Sequence, residues 1–200
     1  MSFQDKLLDS FIAFEQVIDL DNPVHSVRKN ALKRFESDGF PTKKDELWKY
    51  TSLKSIIQKD YSLSVKSNPN VGLKDIEKYS INDIDSYKIV FVDGVFNPFL
   101  SNTTHDGMDI CVLSAALSKT KYKKTITKYF NKIVPDDQSL ASLNTSYTKE
   151  GAYIHIPKSV LPEDPVQILH FSSGKNKPLW LQPRNITVSY THLTLPTNGC

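Results

Sequence analysis

Residues 152–188 read AYIHIPKSVLPEDPVQILHFSSGKNKPLWLQPRNITV, and the reading of this stretch decides the fold. Three runs, 152–156, 166–171 and 179–188, are short and rich in Ile, Val and aromatic residues. They recur at intervals of about a dozen residues, with Pro, Glu, Asp, Gly and Lys between them. Such spacing suits either a sandwich or a coil of stacked strands. A sandwich would favour tight Asn-Gly or Asp-Gly hairpins. The connections here, PKSVLPEDP and SSGKNKP, are longer and carry prolines, which favours the coil.

Upstream of this stretch the period becomes helical. In residues 119–134 Tyr122, Ile126, Tyr129 and Ile133 share a face, while Lys123, Lys124, Lys128 and Lys132 mostly point elsewhere. Asp136 and Asp137 then supply negative charge near the start of a following helix that carries Leu140 and Leu143. Further back, KIVFVDGVFNPFLS places Asp93 and Gly94 between apolar runs, a strong hairpin signal, and residues 110–113 form another short strand. Residues 61–79 mix Ser, Asn, Pro and Gly without a lasting period and read as a connection, with a boundary near Lys66 to Val71.

The front of the chain is helical. Phe3, Leu7, Phe11, Phe14 and Ile18 make one apolar stripe. Asn22 as N-cap and Pro23 in the first turn open a second helix that buries Val27, Ala31 and Phe35 and stops at Gly39. In GFPTKKDELWKYTSL, residues 39–53, Thr42 and Asp45 form a capping-box pattern, so a third helix is expected from Lys43. Its Trp48 and Tyr50 are read as fastening that helix to its neighbours, because stacking on a base needs a basic groove and Asp45 and Glu46 oppose one. The fold class is therefore α+β: a helical region over residues 1–66, a mixed segment over 67–150, first rungs of stacked strands over 151–188, and a tail over 189–200.

The totals exclude several classes. A chain of 200 residues supports a real core, and 25 Lys+Arg against 22 Asp+Glu gives only +3, far from the charge of a chain built to track phosphates. No apolar run approaches about 18 residues, and the start, MSFQDKLLDSF, lacks a secretory pattern, so a soluble cytoplasmic protein is expected. Cys111 and Cys200 are too few for a disulfide framework or an all-cysteine cluster site. The seven glycines include no G-x-G-x-x-G or Walker-type loop.

No residue announces catalysis. His25, His105, His155, His170 and His192 show no i, i+4 pairing and no adjacent cysteine ligands, so no metal set is assigned. His155 and His170, placed on neighbouring strands, are the one histidine pair of interest. Adjacent Asp136 and Asp137 diverge on a helix and read as caps rather than as an acid/base pair. A carbohydrate-acting site would need acids and arginines on adjacent rungs, and only Glu163, Asp164 and Arg184 are available. The run from Lys119 to Lys132 interleaves lysines and aromatics. Its helical spacing reads as an amphipathic surface helix, with a small nucleic-acid-binding protein as the alternative.

RKNALKRFESDGFPTKKDELWKYTSL, KIVFVDGVFNPFLS, LASLNTSYTKEGAYIHIPKSVLPEDPVQILHF and LWLQPRNITV follow in an order and spacing that resemble the N-terminal half of the SufD members of the SufB/SufD family, over about Val27 to Val188. The resemblance implies a non-catalytic scaffold subunit for iron-sulfur cluster assembly. It also implies a helical region leading into a right-handed parallel β-helix, and a complex with SufB-like subunits and a SufC-like ATPase that handles the cluster. The family's cluster-related and ATPase-docking positions lie beyond this chain, so no catalytic, cofactor or metal residue carries over, and this fragment is expected to bind no cofactor itself. The tail SYTHLTLPTNGC departs from the family's pattern, so residues 189–200 are expected to be non-native and the chain a truncated N-terminal piece.

Overall fold

The computed structural model describes residues 1–63, 68–105, 107–135, 137–173 and 177–190. It has an α+β architecture in which a helical layer lies beside two small mixed sheets.

The helical layer forms where local caps and apolar stripes agree. Helix α1 (Phe3–Glu15) opens with a reciprocal cap: the Asp5 N–H donates to Ser2 Oγ at 3.1 Å and the Ser2 N–H to the Asp5 carboxylate at 2.7 Å. These bonds hold the Asp5 carboxyl below its usual range. Asn22 Oδ1 accepts from the Val24 N–H at 3.2 Å and starts α2 (Val24–Asp38), one residue later than the Pro23 start expected. Gly39 ends it at φ 66°, where a Cβ would be strained. The α2 face packs against α7 (Ser139–Tyr147), and Leu7, Phe35 and Leu143 bury their side chains where α1, α2 and α7 meet. Burial of each such side chain is worth roughly 1.5–3 kcal/mol. Two polar contacts set the register of this layer: the Tyr147 hydroxyl meets Ser10 Oγ at 2.7 Å, and Arg28 Nε donates to the Thr148 carbonyl at 3.0 Å.

Strand β1 (Tyr87–Val92) turns through Asp93 and Gly94 into β2 (Val95–Phe96), with both turn residues at positive φ as a primed hairpin turn requires. The predicted hairpin is therefore present. On its other side β1 pairs in parallel with β5 (Val166–Phe171), Tyr87 opposite Val166 and Val92 opposite Phe171. The second sheet is β3 (Asp109–Val112), β4 (Ala152–Ile156) and β6 (Ile186–Ser189). Within it β3 runs antiparallel to β4, and β6 parallel to it. Strands β4 and β5 coincide with the expected runs.

Alternation then sorts the side chains. Ile89, Phe91, Ile110, Ala152 and Ile154 meet between the two sheets. The outer face of the first sheet carries Val90, Val92, Leu169 and Phe171 under Ile76 of α4 (Leu73–Glu77). The outer face of the second is covered by α5 (Leu113–Ser118) and α6 (Thr120–Tyr129) through Leu113, Leu117, Tyr122 and Ile126 against Tyr153.

Four expectations need correction. The helix from Lys43 does not form: Thr42 and Asp45 make their bonds, but only a 3-10 turn, Glu46–Trp48, and the short α3 (Lys54–Ile57) follow. Residues 61–79 are not wholly a connection, since α4 lies within them and buries Ile76. The strand expected over 179–188 shrinks to β6, because Pro183 offers no N–H to a ladder, and Leu179 makes only an isolated bridge to Ser62. The helix expected over 119–134 stops at Tyr129. Asn131 turns the chain at φ 56°, so Phe130 becomes buried while Ile133 is left 84% exposed.

Candidate functional site

The densest group of chemistry-bearing residues lies on the outer face of the second sheet, beneath α6. Alternation along β3 puts Asp109 and Cys111 on that face, and the antiparallel register sets His155 opposite Asp109 and Tyr153 opposite Cys111. Helix α6 lowers Tyr122 onto them, its ring 4.9 Å from Tyr153 and 5.6 Å from His155. Lys121 Nζ reaches Asp109 Oδ2 at 3.0 Å and His155 Nδ1 stands 3.3 Å from the same oxygen. Burial pushes the Asp109 carboxyl up, but contacts from Tyr122, Lys121 and His155 outweigh it, so the acid sits below its usual range. Burial pushes the Cys111 thiol up and the Tyr153 phenol up to about 12. A thiol held protonated in this way is a poor nucleophile. The group thus contains a carboxylate already engaged by its neighbours and a thiol kept neutral, an arrangement that fastens α6 to the sheet.

The two histidines expected side by side are apart. Consecutive strands β4 and β5 enter different sheets, so His155 faces α6, whereas His170 stacks on Phe91 at 4.8 Å between ring centroids. Burial lowers the His170 pKa, opposed by its 3.3 Å contact with Asn185 Oδ1, an oxygen that also accepts the Ala152 N–H at 2.8 Å. His25 meets Glu15 at 3.1 Å, bridging α2 and α1, and His105 packs edge-on to Tyr87. Among the described residues no three His, Cys, Asp or Glu side chains converge as a metal ligand set. His192, Cys200 and Asp136 lie outside the described residues, as do residues 191–200 of the tail and Lys66 at the expected boundary. Asp137 is exposed, and the N-cap of α7 is Gln138, not an aspartate. Glu163 and Asp164 sit in the bend before β5, while the Arg184 guanidinium lies over the Phe130 ring at 5.3 Å.

The Trp48 region also departs from expectation. Of the two aromatics expected to fasten the segment, Trp48 is half-buried, whereas Tyr50 is 90% exposed and its neighbour Leu47 75%, so among the described residues Tyr50 is not buried against a neighbour. By contrast the lysines of α6 lie as the helical period places them, with Tyr122 and Ile126 inward and Lys124 and Lys128 outward. Sequence reasoning missed Asp93, whose carboxylate is buried and accepts the Ser173 N–H and Oγ–H, each at 2.7 Å, and the Asn68 N–H at 3.2 Å. The one available signal was the Asp of the Asp-Gly pair, which a turn already accounts for.

The profile of the SufBD protein N-terminal region matches residues 1–168, and the chain belongs to that family. It is 24% identical over 168 residues to an iron-sulfur cluster assembly SufBD family protein of Synechocystis sp.. The match covers 84% of this chain but 37% of that relative, so the chain spans little more than a third of the relative's length. Among the described residues no helix is long and apolar enough to cross a membrane.

Proposed function

We propose that this chain is the leading part of a non-catalytic scaffold subunit in iron-sulfur cluster assembly, of the SufD type, acting in the cytoplasm with SufB-like and SufC-like partners. The cluster is the cargo of the whole complex, and this part binds none of it. In this reading residues 1–66 form a helical region, 67–150 lead from it, and 151–188 are the opening rungs of a right-handed parallel β-helix.

One observation supports the reading above others. After β4 the chain crosses to the other sheet as β5, then returns as β6 to lie parallel beside β4. Tyr153 is opposite Ile186, a step of 33 residues (186 minus 153). Parallel strands reached by a crossover from another layer are how a coil of stacked strands advances, and such crossovers are right-handed. Strands β5 and β6 are the edges of their sheets, so a further rung can add to both. Family membership supplies the functional class.

The test uses the full-length protein that carries this sequence, tagged and purified from its own cells. Co-purification of a SufB-like subunit and a SufC-like ATPase is the expected result. Recovery of the bait alone, under salt that keeps its thermal transition intact, overturns the proposal.

A further inference from the structure

We propose that the outward face of α6 is a docking strip for a short acidic, amphipathic segment of a protein partner. This inference is independent of the scaffold reading.

Thr120, Lys123, Lys124, Thr127 and Lys128 recur at helical spacing and line a shallow depression of about 430 Å³ along the helix. From Lys119 to Lys132 there are six lysines, and no Asp or Glu occurs between Asp109 and Asp136. Lys121 is held by Asp109, but among the described residues no carboxylate pairs with Lys123, Lys124 or Lys128. At the C-terminal end of the strip stand Tyr129, 48% exposed, and Ile133, 84% exposed. The strip is therefore cationic along its length with an apolar end.

Charge distribution selects the occupant. The chain carries 25 basic and 22 acidic residues; removing the six lysines leaves 19 against 22, a net −3. The positive charge is thus local. Beyond the helix, a long polyanion such as nucleic acid meets a chain whose remaining residues carry net negative charge. A segment of two or three turns ends before it does. Single strands also need rings to stack on, and here Tyr122 and Phe130 are buried while Lys128 lies 5.0 Å over the Tyr129 ring. Carboxylates three and four residues apart on a partner helix match the lysine spacing, and an apolar residue beyond them meets Tyr129 at the end of the helix.

The probe is a fluorescent helical peptide of Glu, Ala and Leu with carboxylates at i, i+3 and i+4, presented to the 200-residue chain immobilised at low density. Saturable binding at about 50 mM salt that fades by about 500 mM is expected. The combined change Lys123→Glu, Lys124→Glu and Lys128→Glu should weaken it by about tenfold or more. The matched change Lys43→Glu, Lys44→Glu and Lys49→Glu, on another exposed segment, should leave it within about twofold. Circular dichroism melts check that both variants remain folded. Equal loss in the two variants, no peptide binding at low salt, or displacement of the peptide by an equal charge concentration of oligonucleotide each overturns the proposal.

Discussion

The Asp93 carboxylate holds Ser173 by two bonds, from its N–H and its hydroxyl, each 2.7 Å long, across 80 residues of sequence. The same side chain accepts the Asn68 N–H, so one acid ties the β1–β2 turn to the exit of β5 and to the segment ahead of α4. Asp93→Ala leaves these donors without a partner and puts alanine at φ 52°. A loss of about 3 kcal/mol in urea unfolding is expected, with Asp93→Asn losing less because it keeps an acceptor and tolerates that φ. Equal, small losses for both would show that the bonds do not constrain the loop.

Gly151 is set by proximity, not by its own φ. A Cβ there would lie 1.8 Å from the Arg184 carbonyl oxygen, where the segment before β4 passes the segment before β6. Because both partners are backbone, relief requires the strands to part. Gly151→Ala should cost about 3 kcal/mol or more, whereas Gly72→Ala, whose added carbon meets nothing nearer than 4.0 Å, should fall within about 0.5 kcal/mol of the parent. Comparable melts for the two would contradict the close approach of β4 and β6.

The Asp109 carboxyl has a depressed folded-state pKa. Its unfolded state binds the proton more readily, so its stabilising contribution is complete above the ordinary carboxylate range and disappears as pH falls through the depressed value. Stability of the parent should decline below about pH 4, and the gap between parent and Asp109→Asn should close over that interval. A gap that stayed constant from neutral pH into acid would mean that the Lys121 and His155 contacts do not depend on the charge of Asp109.

Leu47→Ser and Tyr50→Ser should each alter stability by no more than about 0.5 kcal/mol, since both side chains are exposed. A loss of 2 kcal/mol or so, the scale of a buried side chain, would restore the fastening role that the sequence suggested for this segment.

Among the described residues, strands β5 and β6 each lie at the end of a sheet. Open edges of this kind recruit other strands. The 200-residue chain is expected to self-associate in analytical ultracentrifugation at micromolar concentration, and Thr187→Lys, which charges an exposed edge position, to reduce that association. A monodisperse monomer with a cooperative melt would show that these edges are already protected.

The elements legible from residues alone were those in which local and tertiary demands coincide. The bounds of β4 and β5 followed from apolar runs bordered by Gly151 and Pro157 and by Pro165 and Ser172, and the hairpin from Asp93 and Gly94, because turn geometry is a short-range property. The helix at Lys43 failed for the opposite reason: the Thr42–Asp45 cap is satisfied in one turn, and no apolar stripe beyond it rewards propagation. The supposed pairing of His155 with His170 assumed that consecutive strands are neighbours. Here β4's neighbours are β3 and β6, which only tertiary arrangement decides. The roles of Arg28 and Asp93 were invisible for the same reason, since their partners Thr148 and Ser173 lie far along the chain.

The parallel pairing of Tyr87 with Val166 also has a temporal meaning. Their separation is 79 residues (166 minus 87), so during translation β1 leaves the ribosome well before the partner it zips against exists. At about 5–20 residues per second that interval is roughly 4–16 s, long compared with the microseconds in which the β1–β2 hairpin closes. The nascent polypeptide therefore carries the β5-facing edge of β1 without its ladder partner for seconds, a window in which that edge is open to wrong pairing.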